Sequence, residues 1–225
     1  MDINSADNTN DAAHHQAAAQ TICADIYIKT AAYYAHLAPH LGDQALGYKI
    51  LYSPPIIDAP FLFMGFQPGG SLSDAQVGKR DGERTGWPTM NEYAKASWKL
   101  AVKARRIWGE RLLRTSVGLN RVFFRAPGRD EWSLLPSYWR NHAEDFSGIH
   151  CKAIIAALRP RRIVIFGLHS VPEFIPGRDT LRSGKRRLVQ DGCLWGIPAS
   201  AVIHPTGARL SATDEELISG HFRTV

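Results

Sequence analysis

Three short polar motifs, each joined to an apolar run, carry the side chains that could bind or transform a ligand. The run FLFM leads into GFQPGG (65–70) with Gln67, LNRVFF contains Asn120, and ASAVI leads into HPTG with His204. A loop as poor in side chains as GFQPGG lets a ligand approach the backbone. A buried amide such as that of Asn120 needs hydrogen-bond partners, so it either ties down a loop or reads a ligand. The motifs therefore predict a ligand site.

Apolar runs alternating with amphipathic segments predict the elements that position these motifs. We expect strands at 61–64, 115–124, 161–167 and 199–203, and helices at 21–40, 91–106, 136–158 and 214–222, the last capped by Thr213. A basic turn at 183–187 and a hairpin or loop around Asp191 and Gly192 lie between the last two strands. This alternation predicts an α/β fold, a three-layer α/β/α sandwich around a central, mostly parallel four-stranded sheet. Parallel strands would open all three motifs on one edge, where ligands usually bind.

Length and composition set the outer limits of the prediction. The chain has 225 residues, 44% of them hydrophobic, enough for one domain over residues 21–225, while residues 1–20 are polar and Ala-rich and are expected to be a disordered tail. No run of about 18 apolar residues and no secretory signal pattern occurs, so we expect no membrane span and a cytoplasmic protein. Cys23, Cys151 and Cys193 form no CxxC pair and are expected to be reduced structural thiols without zinc.

The charge of the chain is unevenly distributed. Residues 1–20 contain three Asp and no Lys or Arg, so residues 21–225 carry 27 basic and 18 acidic side chains, a net charge near +9. A domain of this charge is disposed toward polyanions, above all nucleic acid, because its cations neutralise phosphates and release counterions. Lys and Arg that only keep the surface soluble would give the same count.

The order and spacing of the motifs resemble the uracil-DNA glycosylase superfamily. Its members carry a first motif of the type G-x-D/N/A-P-G or G-x-D-P-Y after the first core strand and a last motif of the type H/N-P-S after the fourth. Several branches place a base-reading Asn on the second strand between them. The matching residues here are Gly65-Phe66-Gln67-Pro68-Gly69, Asn120 and His204-Pro205-Thr206, over about residues 61–210. The resemblance implies a base-excision enzyme with DNA as its partner.

The resemblance also implies roles for individual residues. A glycosylase extrudes the target nucleotide, holds the base by its edge and face, and stabilises charge on the departing base. Asn120 would read the base, and His204 would face the base oxygen on which negative charge develops. Phe66 or Trp87 would stack on the base, Trp87 lying in a GWP segment that resembles the loop supplying the stacking aromatic in the mismatch-specific branch. Contacts with DNA would come from Gly69, Thr206 and Gly207, with Arg209 or Leu210 as the wedge that fills the gap.

The sequence departs from the family pattern at Gln67 and Gly69. The most efficient branches have Asp where this chain has Gln67, and the mismatch branch has Asn; a Gln can orient water but cannot act as a general base. A branch with Gln there also carries a KRRxH-type insert whose His attacks the sugar, but residues 71–86 contain Lys79-Arg80 and no His. Gly69 stands where the uracil-specific branch has a Tyr that excludes thymine. The pocket is therefore expected to admit uracil first, and also hypoxanthine, xanthine or a mismatched or damaged pyrimidine.

Three functions follow from these observations. The first is a DNA glycosylase that uses Gln67 and His204 around a base read by Asn120, without a cofactor, since the four cysteines of the iron–sulfur branches are absent. The second is a catalytically silent relative that binds nucleic acid, a free base or a nucleotide in the same pocket. The third, a dinucleotide- or phosphate-binding α/β enzyme, fits less well, because GFQPGG lacks the GxGxxG spacing and no acidic residue lies at the end of the second strand.

Overall fold

The computed structural model describes residues 4–42, 45–70 and 86–223. The strands are β1 (Leu62–Gly65), β2 (Val117–Asn120), β3 (Ile163–Phe166), β4 (Ile175–Ser183), β5 (Arg186–Leu194) and β6 (Ile197–Val202). The helices are α1 (Asn4–Leu41), α2 (Lys99–Trp108), α3 (Glu110–Arg114), α4 (Arg129–Ser133), α5 (Ser137–Leu158) and α6 (Ala212–Arg223), and a 3₁₀ turn spans Glu92–Ala94. Residues 71–85, which follow the first motif and contain no His, lie outside the described residues.

Six strands of the described chain form one sheet in the order β2-β1-β3-β6-β5-β4. The strands β2, β1, β3 and β6 pair in parallel, and β5 and β4 continue the sheet in antiparallel pairing. The predicted α/β class is confirmed. The predicted four-stranded sheet is not, because the sheet is mixed and contains two more strands. These come from residues 175–194, in which we expected only a basic turn at 183–187 and a hairpin or loop around Asp191 and Gly192.

Alternating side chains of β1 point into two hydrophobic cores, one on each face of the sheet. Leu62 and Met64 lie in one core, together with α1 and α5. Phe63 lies in the other, together with α2 and α6. All three side chains are fully buried. Helices on both faces thus fix the central strands and the loops that follow them.

The helix α1 begins well before the predicted helix at residue 21. Residues 4–20, expected to be a disordered tail, continue the same helix toward the amino end. Ala19 is buried, and the Gln16 side chain donates to Pro55 O at 2.6 Å and accepts from Ile57 N at 3.2 Å. Alanine is the best helix former, so a run rich in Ala extends a helix that is already docked. The low content of large apolar residues was a poor guide here because two hydrogen bonds hold Gln16 in place.

The segment around Asp191 and Gly192 is continuous strand within β5 rather than the predicted hairpin or loop. Residues 191 and 192 pair with Ser200 and Ala199 of β6. A Cβ on Gly192 would lie 2.1 Å from Ile175 O, so glycine is needed for the close approach of β4 and not for a reversal. The chain instead reverses at residues 184–185 and 195–196, between the paired ends of β4, β5 and β6.

Two helix starts also differ from the prediction. The helix expected over 91–106 is divided into the 3₁₀ turn, which Asn91 caps through Tyr93 N, and α2, which begins only at Lys99. At the start of α6 the cap is Ser211 and not Thr213, since Ser211 Oγ accepts from Asp214 N and Asp214 Oδ2 accepts from Ser211 N, both at 3.1 Å. This reciprocal pair is a capping box.

The three cysteines are free, as predicted. Burial raises the pKa of both the Cys23 and Cys151 thiols to about 12, so these two remain protonated and inert. No helix in the described part of the chain combines the length and the apolar composition needed to cross a bilayer.

Candidate functional site

The loops that follow β1, β2 and β6 carry the three predicted motifs on the carboxyl edge of the parallel strands. Gly65, the last residue of β1, pairs with Asn120, the last residue of β2. His204 lies two residues beyond the end of β6, which β3 separates from β1. The strands β2 and β6, which lead to Asn120 and His204, are three strand spacings or about 14 Å apart across the sheet. Gln67 lies two residues beyond the end of β1, a strand that stands between β2 and β6 in the sheet.

The Asn120 amide is buried and partly committed to the backbone. Its Nδ2 donates to Lys49 O at 3.2 Å, in the segment that runs antiparallel along the outer edge of β2. An amide carries two hydrogens and a carbonyl oxygen, so one N–H and Oδ1 remain without a partner among the described residues. A Cβ on Gly65 would lie 2.9 Å from Asn120 Oδ1. Glycine at the end of β1 therefore makes the space that this amide occupies.

The Gln67 amide is held at one end only. Its Nε2 donates to Gly128 O at 2.9 Å, which orients the side chain because a backbone carbonyl can only accept. Its Oε1 is buried and accepts no hydrogen bond within the described structure. An unsatisfied buried acceptor costs about 1–3 kcal/mol, so its position favours a donor from water or a ligand.

The His204 imidazole is fixed in one orientation by the loop that follows it. Its Nδ1 accepts from Thr206 N at 3.3 Å and Gly207 N at 3.1 Å, and the Thr206 hydroxyl lies 3.2 Å from the same atom. Two backbone donors require Nδ1 to be unprotonated, so the neutral ring carries its hydrogen on Nε2. Burial lowers the pKa of His204, which also favours the neutral form. The ring thus presents the N–H group of Nε2 as a hydrogen-bond donor.

The two predicted stacking aromatics both pack at the margin of the core formed with α1 and α5. The Arg129 guanidinium lies over the Phe66 ring, 4.9 Å from its centroid. Trp87 is half-buried and meets the Tyr27 ring edge to face at 6.1 Å. Stacking of a base on Phe66 therefore needs the face opposite Arg129, or displacement of that side chain.

The residues predicted to contact DNA are mostly exposed in the loops of this edge. Thr206 and Gly207 are exposed, but their backbone N–H groups are directed at His204. Gly69 is exposed and forms an isolated bridge with Ala126. Arg209 is exposed, whereas Leu210 is half-buried against the core that contains α2 and α6. The two expected wedge residues therefore differ in solvent exposure, and Arg209 is the more accessible of the two.

The structure adds supporting residues that the motifs did not reveal. Arg121, next to Asn120, forms an ion pair with Glu173, with its Nε 3.1 Å from Oε1, and its Nη1 donates to Glu144 O at 2.9 Å. This links the end of β2 to α5 and to the segment after β3. Lys49 forms an ion pair with Glu92 at 2.7 Å. Neither pair shows a local sequence signal, since each joins residues more than 40 positions apart.

Among the described residues, no three His, Cys, Asp or Glu side chains are grouped as metal ligands. A groove of about 480 Å³ lies between Leu181 of β4 and one side of α6, from Thr213 to Arg223. None of its lining residues belongs to the three motifs. Comparison of the sequence with models of protein families and with curated proteins finds no match.

Proposed function

We propose that this protein is a DNA base-excision glycosylase that hydrolyses the N-glycosidic bond of uracil or a related deaminated or damaged base. The observation that carries the proposal is the state of His204, a half-buried neutral imidazole with Nδ1 occupied and the hydrogen on Nε2. Such a donor stabilises the negative charge that develops on a base oxygen as the bond to the sugar breaks. The neutral His204 ring keeps its Nε2 hydrogen before the bond to the sugar breaks.

Gln67 would orient the attacking water in this reaction. Its buried Oε1 has no partner among the described residues, and Gly128 O holds the other end of the amide. A water hydrogen donated to Oε1 would leave the water oxygen free to attack the sugar carbon. Because a neutral amide takes up no proton, the water proton must leave to solvent, and we expect slower turnover than with a carboxylate.

Asn120 would read the edge of the extruded base. Its free Oδ1 and remaining N–H match a base edge that offers one donor beside one acceptor, as uracil does. The separation of about 14 Å between the strands β2 and β6 leaves space for a base between the side chains of Asn120 and His204. We further propose that the parallel strands β2, β1, β3 and β6 form a uracil-DNA glycosylase-like sheet to which the β4–β5 hairpin is added.

A second candidate function is binding without excision, in a catalytically silent relative. The specific observation in its favour is the neutral Gln67 at the position of the water-positioning group, together with the Lys49 carbonyl that already uses part of the Asn120 amide. Such a protein would bind DNA with a marked salt dependence and leave every base in place.

Excision assays on oligonucleotides distinguish the two. We expect abasic sites, revealed by alkaline cleavage, in single-stranded or duplex oligonucleotides that carry uracil, hypoxanthine, xanthine or a mismatch. His204→Ala should lower the rate about 100-fold or more, in the range found for removal of a charge-stabilising donor, and Asn120→Ala should also lower it sharply.

The matched control is His142→Ala, which removes an exposed histidine of α5 that belongs to none of the three motifs. Melting temperatures of all variants report whether they fold. If purified protein leaves the whole panel intact, the glycosylase proposal is wrong and the binding function takes its place.

A further inference from the structure

The hairpin formed by β4 and β5 projects past the carboxyl edge of the parallel strands. Val189 of β5 pairs with Val202, the last residue of β6, so residues 182–187 lie beyond the end of that strand. The three strand steps from Val189 to Arg186, the first residue of β5, correspond to about 10 Å. We call residues 182–187, RSGKRR, the basic tip. Arg186 Nη1 donates to Arg209 O at 3.0 Å, which places the basic tip beside the loop that carries His204.

The charge of the basic tip is largely uncompensated. It contains four cations and no acid. Within the described structure, only Arg186 among them contacts a carboxylate, Asp214 Oδ2 at 3.3 Å. Arg182 donates to Lys185 O at 3.4 Å and Arg187 to Gln190 Oε1 at 3.2 Å, both neutral acceptors. Three positive charges are therefore available to an external anion.

Two of these cations face each other across the hairpin. Arg182 and Arg187 are directly paired residues of β4 and β5. Like charges at such positions repel, because their Cβ atoms lie only about 5 Å apart. An anion bound between the two guanidinium groups would attract both and so offset their repulsion. The planar guanidinium group is well suited to bind a phosphate.

A line of contacts connects the basic tip to the GFQPGG loop. Arg187 Nη2 lies 3.4 Å from His169 Nε2, and Arg129 Nη2 donates to His169 O at 3.5 Å. The Arg129 guanidinium in turn covers the Phe66 ring. Cationic and ring side chains therefore follow one another from the basic tip to Phe66.

We propose that the basic tip, with His169 and Arg129, binds the phosphate backbone of a nucleic acid that runs along this edge. An extended row of cations interleaved with rings matches a chain of phosphates and bases better than a single anion. RSGKRR contains no apolar side chain that could enter a bilayer, so the surface favours nucleic acid over a membrane. The inference takes its DNA partner from the proposed function, but backbone binding itself requires no excision.

The test compares two triple variants of the full chain in binding to an unmodified 30-base-pair duplex across a salt series. Arg182→Ala/Lys185→Ala/Arg187→Ala should weaken binding at least tenfold at low salt. It should also reduce the slope of log Kd against log salt by between two and three, because each duplex phosphate contact contributes about 0.9. The control, Arg106→Ala/Arg111→Ala/Lys152→Ala, removes the same charge from exposed residues of α2, α3 and α5 and should leave the slope nearly unchanged.

Equal slopes and affinities in the two triple variants would overturn the inference. So would a selective loss of binding to phosphatidylserine vesicles with duplex binding retained, which would make the basic tip a membrane contact. If the basic-tip variant alone loses duplex binding while the parent protein excises no base, the inference holds and the glycosylase proposal fails. If the parent protein excises a base and the two triple variants bind duplex equally well, the glycosylase proposal holds and the inference fails.

Discussion

His204 shows how a single side chain acquires its chemistry from its neighbours. The backbone N–H groups of Thr206 and Gly207 both point at Nδ1, and burial lowers the pKa of the ring. Protonation of Nδ1 would break both hydrogen bonds and place a charge in a half-buried position. The side chain is therefore built to remain neutral and to donate from Nε2.

The excision rate should consequently depend on pH in a definite direction. The pKa of His204 is lowered from 6.5, so the neutral form predominates above pH 6.5 and the single-turnover rate should be level there. The rate should fall as the pH drops below the lowered pKa. His204→Gln, which has no titrating ring, should be slower and lack this acid limb. A rate that rises on acidification would instead mean that the imidazolium is the active form.

At the scale of the element, α1 illustrates a helix that is held by contacts rather than by apolar composition. Its first part contributes Ala19 to the core, and Gln16 satisfies the backbone at Pro55 and Ile57. The loop it ties down leads into β1 and hence to GFQPGG. The amino-terminal part of the helix thus contributes to the position of the candidate site.

Replacing Gln16 tests this role. Gln16→Ala removes both hydrogen bonds to the loop, and we expect a loss of about 1–2 kcal/mol in the free energy of unfolding. For a chain of this size the melting temperature should fall by about 2–8 °C. Gln20→Ala, at an exposed position of the same helix, is the control and should leave the melting temperature within about 1 °C. Identical behaviour of the two variants would contradict the docking of α1 through Gln16.

At the scale of the whole molecule, long-range ion pairs join loops that the sheet alone would leave independent. Glu173, after β3, meets Arg121, after β2, and Arg121 also reaches α5 through Glu144 O. Burial opposes ionisation of Glu173, but its hydrogen bonds and the charge of Arg121 outweigh burial and lower its pKa. A carboxyl whose pKa is lower in the folded protein stabilises the fold above its unfolded pKa, and this stabilisation is lost as the pH falls through the folded value.

The variant Glu173→Gln should therefore melt at a lower temperature than the parent protein near pH 7. The side chains are partly exposed, so we expect a difference of about 1 kcal/mol, or roughly 2–4 °C. The two proteins should converge only as the pH falls through the lowered pKa of Glu173, because the folded carboxyl becomes protonated there. Glu216→Gln, at an exposed position of α6, is the control and should follow the parent at every pH. A pH-independent difference would assign the effect to packing instead of charge.

The sequence by itself determined which apolar runs form strands and the order of these strands along the chain. The apolar runs that became β1, β3 and β6 can be buried in few ways, and α5 begins within one residue of the prediction. Local pattern also placed Gln67 and His204 just after strand ends, whereas Asn120 is the last residue of β2 and not, as expected, inside a strand that runs to residue 124. It could not distinguish an Asp-Gly turn from a glycine required by a neighbouring strand, as at Gly192.

The tertiary structure decided everything that depends on residues distant in the chain. Lys49 O reaches Asn120 across 71 positions, and Gly128 O reaches Gln67 across 61. The antiparallel pairing of β5 with β6 carries the basic tip to the edge that holds the candidate site. No local pattern encodes such contacts, because they arise from strand register and from the packing of loops, and they set the orientation and charge of the side chains that the motifs supply.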